Sequence, residues 1–561
     1  MLLCAAVVAA ATTSSSAATT SGLAAFQTRW QPSLRMGAAD ATQTTTKNNT
    51  LPSHCSLAVV GAGWGGVYAA WRLAVDTKTI DASKVCVFEA NGRVGGRVYS
   101  LHGLPGFADL AVDVGGYRFQ QTQKLPADLV WNALKLATAC YDWSCAPQCE
   151  NTTCYVIKDA YGNNAGYATA IEAMLSQLEN AGAGQQVRFA SRLTKVDTAR
   201  HVSPSASQLT FADGRSVTAD TVMLNLPGNA IEGLDPTSIL FRETSNRTAT
   251  LLDSVWTFGM NKVYAWYDDA WWNSKLGLME GHFDEKAAIA HPAPLEGRYH
   301  DGPQRCVIGK DTTGTPVYSG RKVKRGNCSG ALEVYYGEAQ PYYQGLMNDP
   351  LQPLTVITRE PGGTGGEVDA LQRKALDDVH AHLMAYHADQ LKAAGVNPTV
   401  VPYAATPEDR ATAGTMPSWP FLACCLLPTA ATAALPRAMQ AASASVPHMC
   451  LFLAPCCRTV LLRSKPKTLV ISNWTPDGKY TPGIGSLSPP KGVAPDQARK
   501  VVRKPLSSHA LYVINQDYGY QTGWAVGSLA MAEKVLQAEL GVPRPAWLDE
   551  QWYTAQVVAK P

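Results

Sequence analysis

Six residues, Gly61-Ala62-Gly63-Trp64-Gly65-Gly66, constrain this chain more than any others. An apolar run, Leu57 to Val60, leads into them, a helical pattern follows, and a second apolar run ends in Glu89. Gly61, Gly63 and Gly66 meet the spacing G-x-G-x-x-G inside a strand–turn–helix–strand unit. In that context the first glycine permits the tight turn, the second lets the backbone approach a pyrophosphate, and the third lets helix pack on strand. The helix start, with Trp64 and Gly65 in its first turn, then offers unpaired N–H groups to phosphates. Glu89 stands where an acid accepts hydrogen bonds from ribose hydroxyls. The unit predicts a dinucleotide-binding α/β fold.

Three further segments narrow the dinucleotide. Gly92-Arg93-Val94-Gly95-Gly96-Arg97 follows Glu89 at once, Asp113-Val114-Gly115-Gly116-Tyr117-Arg118 comes next, and YVINQDYGYQTGW spans Tyr512 to Trp524. Together these resemble the FAD-binding amine oxidase family. The resemblance implies an α/β protein, with a Rossmann-type FAD-binding domain assembled from discontinuous segments and an α+β substrate-binding domain. It places Arg93, Gly96 and Arg97 at the cofactor, Arg97 on the pyrophosphate through its planar charged fork. Gly115 and Gly116 would pass close to the flavin ring. Gly523 and Trp524 match the family's Gly-Trp pair, whereas Asn515-Gln516 replaces its usual Gly-Glu, with Asp517 next. Gln516 would then bind the ribityl chain as an amide, and the backbone of Val196 would meet adenine.

Thr257 to Trp272 resembles the stretch carrying the family's active-site lysine, which puts that role on Lys262. Arg118 resembles the arginine that clamps the substrate carboxylate in members acting on α-amino acids. A guanidinium matches a carboxylate bidentately, and an amine offers it no partner. The chain is therefore most similar to the L-amino acid oxidases, with Lys262, Arg118 and Trp524 about the reaction centre. The implied reaction turns an L-amino acid and oxygen into a 2-oxo acid, ammonia and hydrogen peroxide. The alternatives are a polyamine or monoamine oxidase on the same fold, and an FAD-binding protein without turnover.

The rest of the chain sets the context. With 561 residues and a net charge of only +3, it is too long for one ordinary core and too balanced for a nucleic-acid-binding tail. No segment beyond the N-terminus has the apolar length of a membrane span. The opening MLLCAAVVAAATTSSS and the sequons at Asn48, Asn151, Asn246, Asn327 and Asn473 predict secretion of a glycoprotein, with a plastid as the alternative. Fourteen cysteines suit an oxidising compartment. Cys140, Cys145, Cys149 and Cys154 have gaps of three and four residues, which disfavour zinc and favour local disulfides, as does the Cys306/Cys328 pair around a basic loop. Cys86, inside VCVFE, reads as a buried free thiol. The expected division is 1–52 leader and tail, 53–120 first FAD-binding segment, 121–185 helical and cysteine-rich, 186–252 second FAD-binding segment, 253–419 substrate domain, 420–467 a low-complexity insertion, and 468–561 the last FAD-binding segment. Self-association into a homo-oligomer is left open.

Overall fold

The computed structural model describes residues 51–560 except 105–109, 142–153, 160–161, 184–186, 286–288, 320–322, 350–351, 360–369, 398–459, 462–464 and 476–482. The leader, Asn48, Asn151, Cys145, Cys149 and nearly all of the insertion lie outside the described residues.

Strand β1 (His54–Val60) runs into helix α1 (Trp64–Trp71), and strand β2 (Val85–Phe88) returns parallel to β1. Strand β3 (Ser216–Leu224) lies parallel on the other side of β1, Val187–Arg188 extends the sheet beyond β2, and Ala510–Val513 extends it beyond the second half of β3. Five parallel strands thus come from segments hundreds of residues apart. The hairpin Leu193–Thr198 and Ser207–Phe211 adds antiparallel strands beside the first half of β3. Parallel strands must be covered on both faces, and β1 alternates accordingly. Leu57 and Val59 pack with α1 and with helix α2 (Ala525–Ala538), while Ala58 and Val60 pack with Phe88, Leu224 and Val513 in a separate core. This is the α/β arrangement expected from the glycine-rich unit.

A second sheet is antiparallel. Its centre is β4 (Met260–Tyr267), flanked by β5 (Asn327–Glu338) and β6 (Thr468–Trp474). Leu354–Thr358 closes one edge, and Glu296–Arg298 continues the other. Val263, Ala265 and Tyr267 face a core shared with the helix Ala370–Tyr386; Tyr264 and Trp266 face the opposite way, against Tyr99, Leu101 and Val114. The two-residue period carries Lys262 to the second face, toward the first sheet.

The cysteines correct one expectation. Cys86 is not a free thiol: it is disulfide-bonded to Cys55, because β1 and β2 are neighbouring strands and bring the two Cα atoms to 6.0 Å. Cys306 and Cys328 face each other across adjacent strands and are also bridged, as their spacing suggested. Among the sequons, Asn246 and Asn327 are exposed, whereas Asn473 is buried with its Oδ1 accepting from Asn261 Nδ2, which excludes it as a glycan acceptor in the folded protein. Among the described residues no helix is long and apolar enough to cross a membrane.

Candidate active site

A cavity of about 680 Å³ runs from the C-terminal ends of the parallel strands to the second sheet. At the first end the chain approaches it as backbone. Gly61 takes φ +101°, and a Cβ there would lie 2.5 Å from the Asn225 carbonyl oxygen, so only glycine makes this turn. Gly63 caps α1 and, with Trp64, lines the cavity; Gly65 and Gly66, in the same first turn, are off the wall, against Ser528 and the Gly61 carbonyl. Trp64 Nε1 is buried on this wall without an acceptor among the described residues. Glu89 lines the same end and braces the turn as well: Oε2 accepts from Ala62 N and Oε1 from Asn91 N, both at 2.9 Å. Burial raises its carboxyl above the ordinary range, against the pull of those N–H donors.

The second glycine motif wraps the cavity's middle. Gly96, Arg97, Gly115 and Gly116 all line it. Arg97 donates to Asp517 Oδ1 at 2.6 Å and to Asn515 Oδ1 at 3.0 Å, so the fork expected on a pyrophosphate is braced by the C-terminal segment. Asp517 itself is fully buried behind the wall, and its other oxygen accepts from Gly228 N. Gln516 reaches the wall, with Nε2 donating to the Gly485 carbonyl. Gly523 and Trp524 line the cavity at the N-terminus of α2.

Besides Gly65, Gly66 and Asp517, two more of the expected contacts lie off the wall. Arg93 is not on the wall; its guanidinium donates to the Val94 and Gly96 carbonyls and lies 4.0 Å over the Tyr99 ring, which makes it a brace of the glycine loop. Val196 is a fully buried core residue of the hairpin strand Leu193–Thr198, and it is Ser191, Arg192 and Leu193 at the start of that strand that line the cavity. Which end of this strand faces the cavity depends on its pairing.

At the far end the walls are side chains. Lys262 is 2% exposed, and its Nζ donates to the Asp113 carbonyl at 3.1 Å and to Tyr264 Oη at 3.2 Å. Nζ also lies 3.6 Å from the centre of the Tyr117 ring. A lysine in an alternating strand is commonly an edge residue, but β4 is paired on both sides and its Lys262 face is covered. Arg118 is framed by Tyr117, Tyr141 and Trp524, with its Cζ 4.7, 4.4 and 5.9 Å from the three ring centres. No acidic side chain pairs with it at ion-pair distance among the described residues. Tyr336 and Trp474 complete this end.

Several residues here were not anticipated. Glu333, in register with Tyr264, accepts from Tyr264 Oη at 3.0 Å and lies 3.6 Å from Lys262 Nζ. Arg298 Nη1 donates to Tyr117 Oη at 3.1 Å. The signal for Glu333 was a single acid inside the apolar run ALEVYY, where a carboxylate has no reason to sit unless a partner meets it. Arg298 and Tyr141 carry no comparable local pattern.

Comparisons with known proteins agree with this geometry. The NAD(P)-binding Rossmann-like domain matches residues 59–132, and the flavin containing amine oxidoreductase family matches residues 146–322. Achacin from Lissachatina fulica is 40% identical over 63 residues, a stretch that is 11% of this chain and 11% of that protein. A nucleotide-binding turn and, after it, a region similar to the flavin containing amine oxidoreductase family thus contribute to one continuous cavity.

Proposed function

We propose that the protein is an FAD-dependent L-amino acid oxidase. The cavity's chemistry suits FAD along its length. Glu89 and Ser191–Leu193 stand at the adenosine end, the N-termini of α1 and α2 open onto the middle, and Trp64 Nε1 is a buried donor that a polar group of the cofactor would satisfy. Gly61, Gly63, Arg97, Gly115, Gly116, Gln516 and Gly523 would hold the phosphates, ribityl chain and ring edge. When bound, the flavin supplies a hydride acceptor that dioxygen can reoxidise.

The chain's own residues do the rest. Arg118 binds the substrate's α-carboxylate, and the observation that carries the reading is that this guanidinium stands on the wall among three aromatic rings with no acidic partner among the described residues. Tyr117, Tyr336, Trp474 and Trp524 orient the remainder of the substrate and exclude water. Lys262 Nζ, fixed by the Asp113 carbonyl and Tyr264 Oη, positions a proton-bearing group at the reaction centre. The imino acid released reacts with water to give a 2-oxo acid and ammonia. The disulfides Cys55–Cys86 and Cys306–Cys328 are consistent with secretion.

The test is anaerobic titration of the flavin-loaded protein with L-amino acids and, separately, with amines of the same side chain lacking the carboxylate. Bleaching by amino acids that reverses in air, with ammonia and peroxide formed, supports the reading. Bleaching by the amines alone overturns it in favour of an amine oxidase, and no bleaching by either leaves a binding protein.

A further inference from the structure

Two carboxyl groups lie behind Lys262, and the chemistry above uses neither. Glu333 is fully buried in β5, in register with Tyr264 on one neighbouring strand and with Arg298 on the other. Its Oε1 is taken up by Tyr264 Oη–H, with Lys262 Nζ close by. Its Oε2 and Asp301 Oδ2 are both buried, and no N–H or O–H of a described residue reaches either atom. The two carboxyl groups interact with each other, each shifting the other's protonation. An ionised carboxyl is an acceptor only, so two buried carboxyl oxygens that no donor reaches are accommodated when one of the two groups carries a proton.

We propose that Asp301 and Glu333 share a single proton and that the pair, held at one negative charge, positions Arg118 and Lys262 for a carboxylate-bearing substrate. The substrate half of this inference rests on the amino acid oxidase reading; the shared proton does not.

The surroundings fix where the proton resides. Lys262 and Tyr264 face the pair from β4, and Arg298 and His300 face it from their own segment. Tyr117, Arg118 and Tyr141 approach from the cavity side. Burial, then the Asp301 charge, pushes the Glu333 carboxyl well above the usual range. Asp301 is held below its usual range by Lys262 and the neighbouring cationic groups, against its own burial. The proton therefore sits on Glu333 and points at Asp301. Were it lost, a second negative charge would face Arg118 and compete with the incoming carboxylate.

Glu333→Gln tests this, because an amide keeps the shape, donates to Asp301 and still accepts from Tyr264. Infrared difference spectra of the two flavin-loaded proteins at neutral pH, with no substrate, are expected to show one protonated-carboxyl carbonyl band in the wild type that is absent from E333Q. A wild type without that band, or a band unchanged in E333Q, overturns the shared proton. If E333Q does not fold, Asp301→Asn provides the same readout: the wild-type band is expected to move in frequency when its ionic acceptor becomes an amide, and an unmoved band overturns the pairing. In kinetics, KM for an amino acid is expected to rise with pH in the wild type where the pair loses its proton and to stay flat in E333Q, with kcat little affected. Parallel KM profiles would refute the positioning role, whereas failure of any amino acid to turn over would refute the oxidase reading and leave the infrared result standing.

Discussion

The two ends of the cavity are built from different materials. Around the parallel sheet the wall is main chain: glycines at 61, 63, 96, 115 and 116 and two helix N-termini present N–H groups whose positions are set by the backbone. Around the antiparallel sheet it is side chains: Tyr117, Arg118, Lys262, Tyr336, Trp474 and Trp524, contributed by separate segments. A backbone wall is intolerant of added atoms, and its N–H groups favour anions whatever the side chains. A side-chain wall tolerates reshaping and is governed by charge. The first suits a constant ligand, the second a ligand that differs among relatives.

That contrast can be broken most forcefully at Gly61. Gly61→Ala puts a Cβ at 2.5 Å from Asn225 O on a residue with φ +101°. A loss of about 3 kcal/mol is expected, with protein recovered almost free of flavin; both appear in a melting curve and an absorbance spectrum. Full flavin content would mean that the main chain is less rigid than its contacts imply. At the other end Lys262→Met should leave flavin content intact and slow turnover by ~10²-fold, seen in stopped-flow traces. Flavin loss in that variant would erase the distinction between the ends. Arg118→Ala should raise KM for amino acids by ~30-fold, corresponding to about 2 kcal/mol, while amines lacking the carboxylate are spared. An equal effect on both would show that Arg118 shapes the wall and does not read charge.

A pH-dependent effect lies away from the cavity, behind the antiparallel sheet. His380 is buried against Tyr267 Oη, and burial, with the Lys465 charge adding, lowers its pKa from 6.5 to about 4. The folded protein therefore binds a proton less readily than the unfolded chain. Stability is expected to be fully present above pH 6.5 and to fall as the pH drops toward about 4, with a slope of at most ~1.4 kcal/mol per pH unit. His380→Gln should flatten that part of a denaturation-versus-pH profile, and an unchanged slope would mean that other groups carry it.

How much was legible follows the same division. Gly61, Gly63, Glu89, Arg97, Gly115, Gly116, Gly523 and Trp524 could be read from short motifs because a turn that admits only glycine leaves its mark within a few residues. Lys262 and Arg118 needed a resemblance, since nothing in an alternating strand announces that both of its neighbours are present. Val196 was misplaced because the hairpin's register decides which end of the strand meets the cavity. Cys86 was misread because its partner, Cys55, lies 31 residues away and is brought beside it only by strand pairing. Asp301 and Arg298 were missed because their meaning arises from proximity among separate segments, which no one-dimensional pattern encodes, and Glu333 left only the trace of one acid in an apolar run.

The strand Ala510–Val513 has a consequence for synthesis. On the ribosome, β1, β2 and β3 emerge early, yet the edge of β3 from Thr221 to Leu224 must wait for some of the last residues made before it is paired. Until then a nascent chain presents an open sheet edge, a template for wrong partners. Gln516, Gly523 and Trp524 arrive with the same late segment, so the cofactor's pocket and the sheet are completed together. Cofactor capture is thereby coupled to the end of translation, and a chain that stops short of residue 510 is left with neither a closed sheet nor a complete pocket.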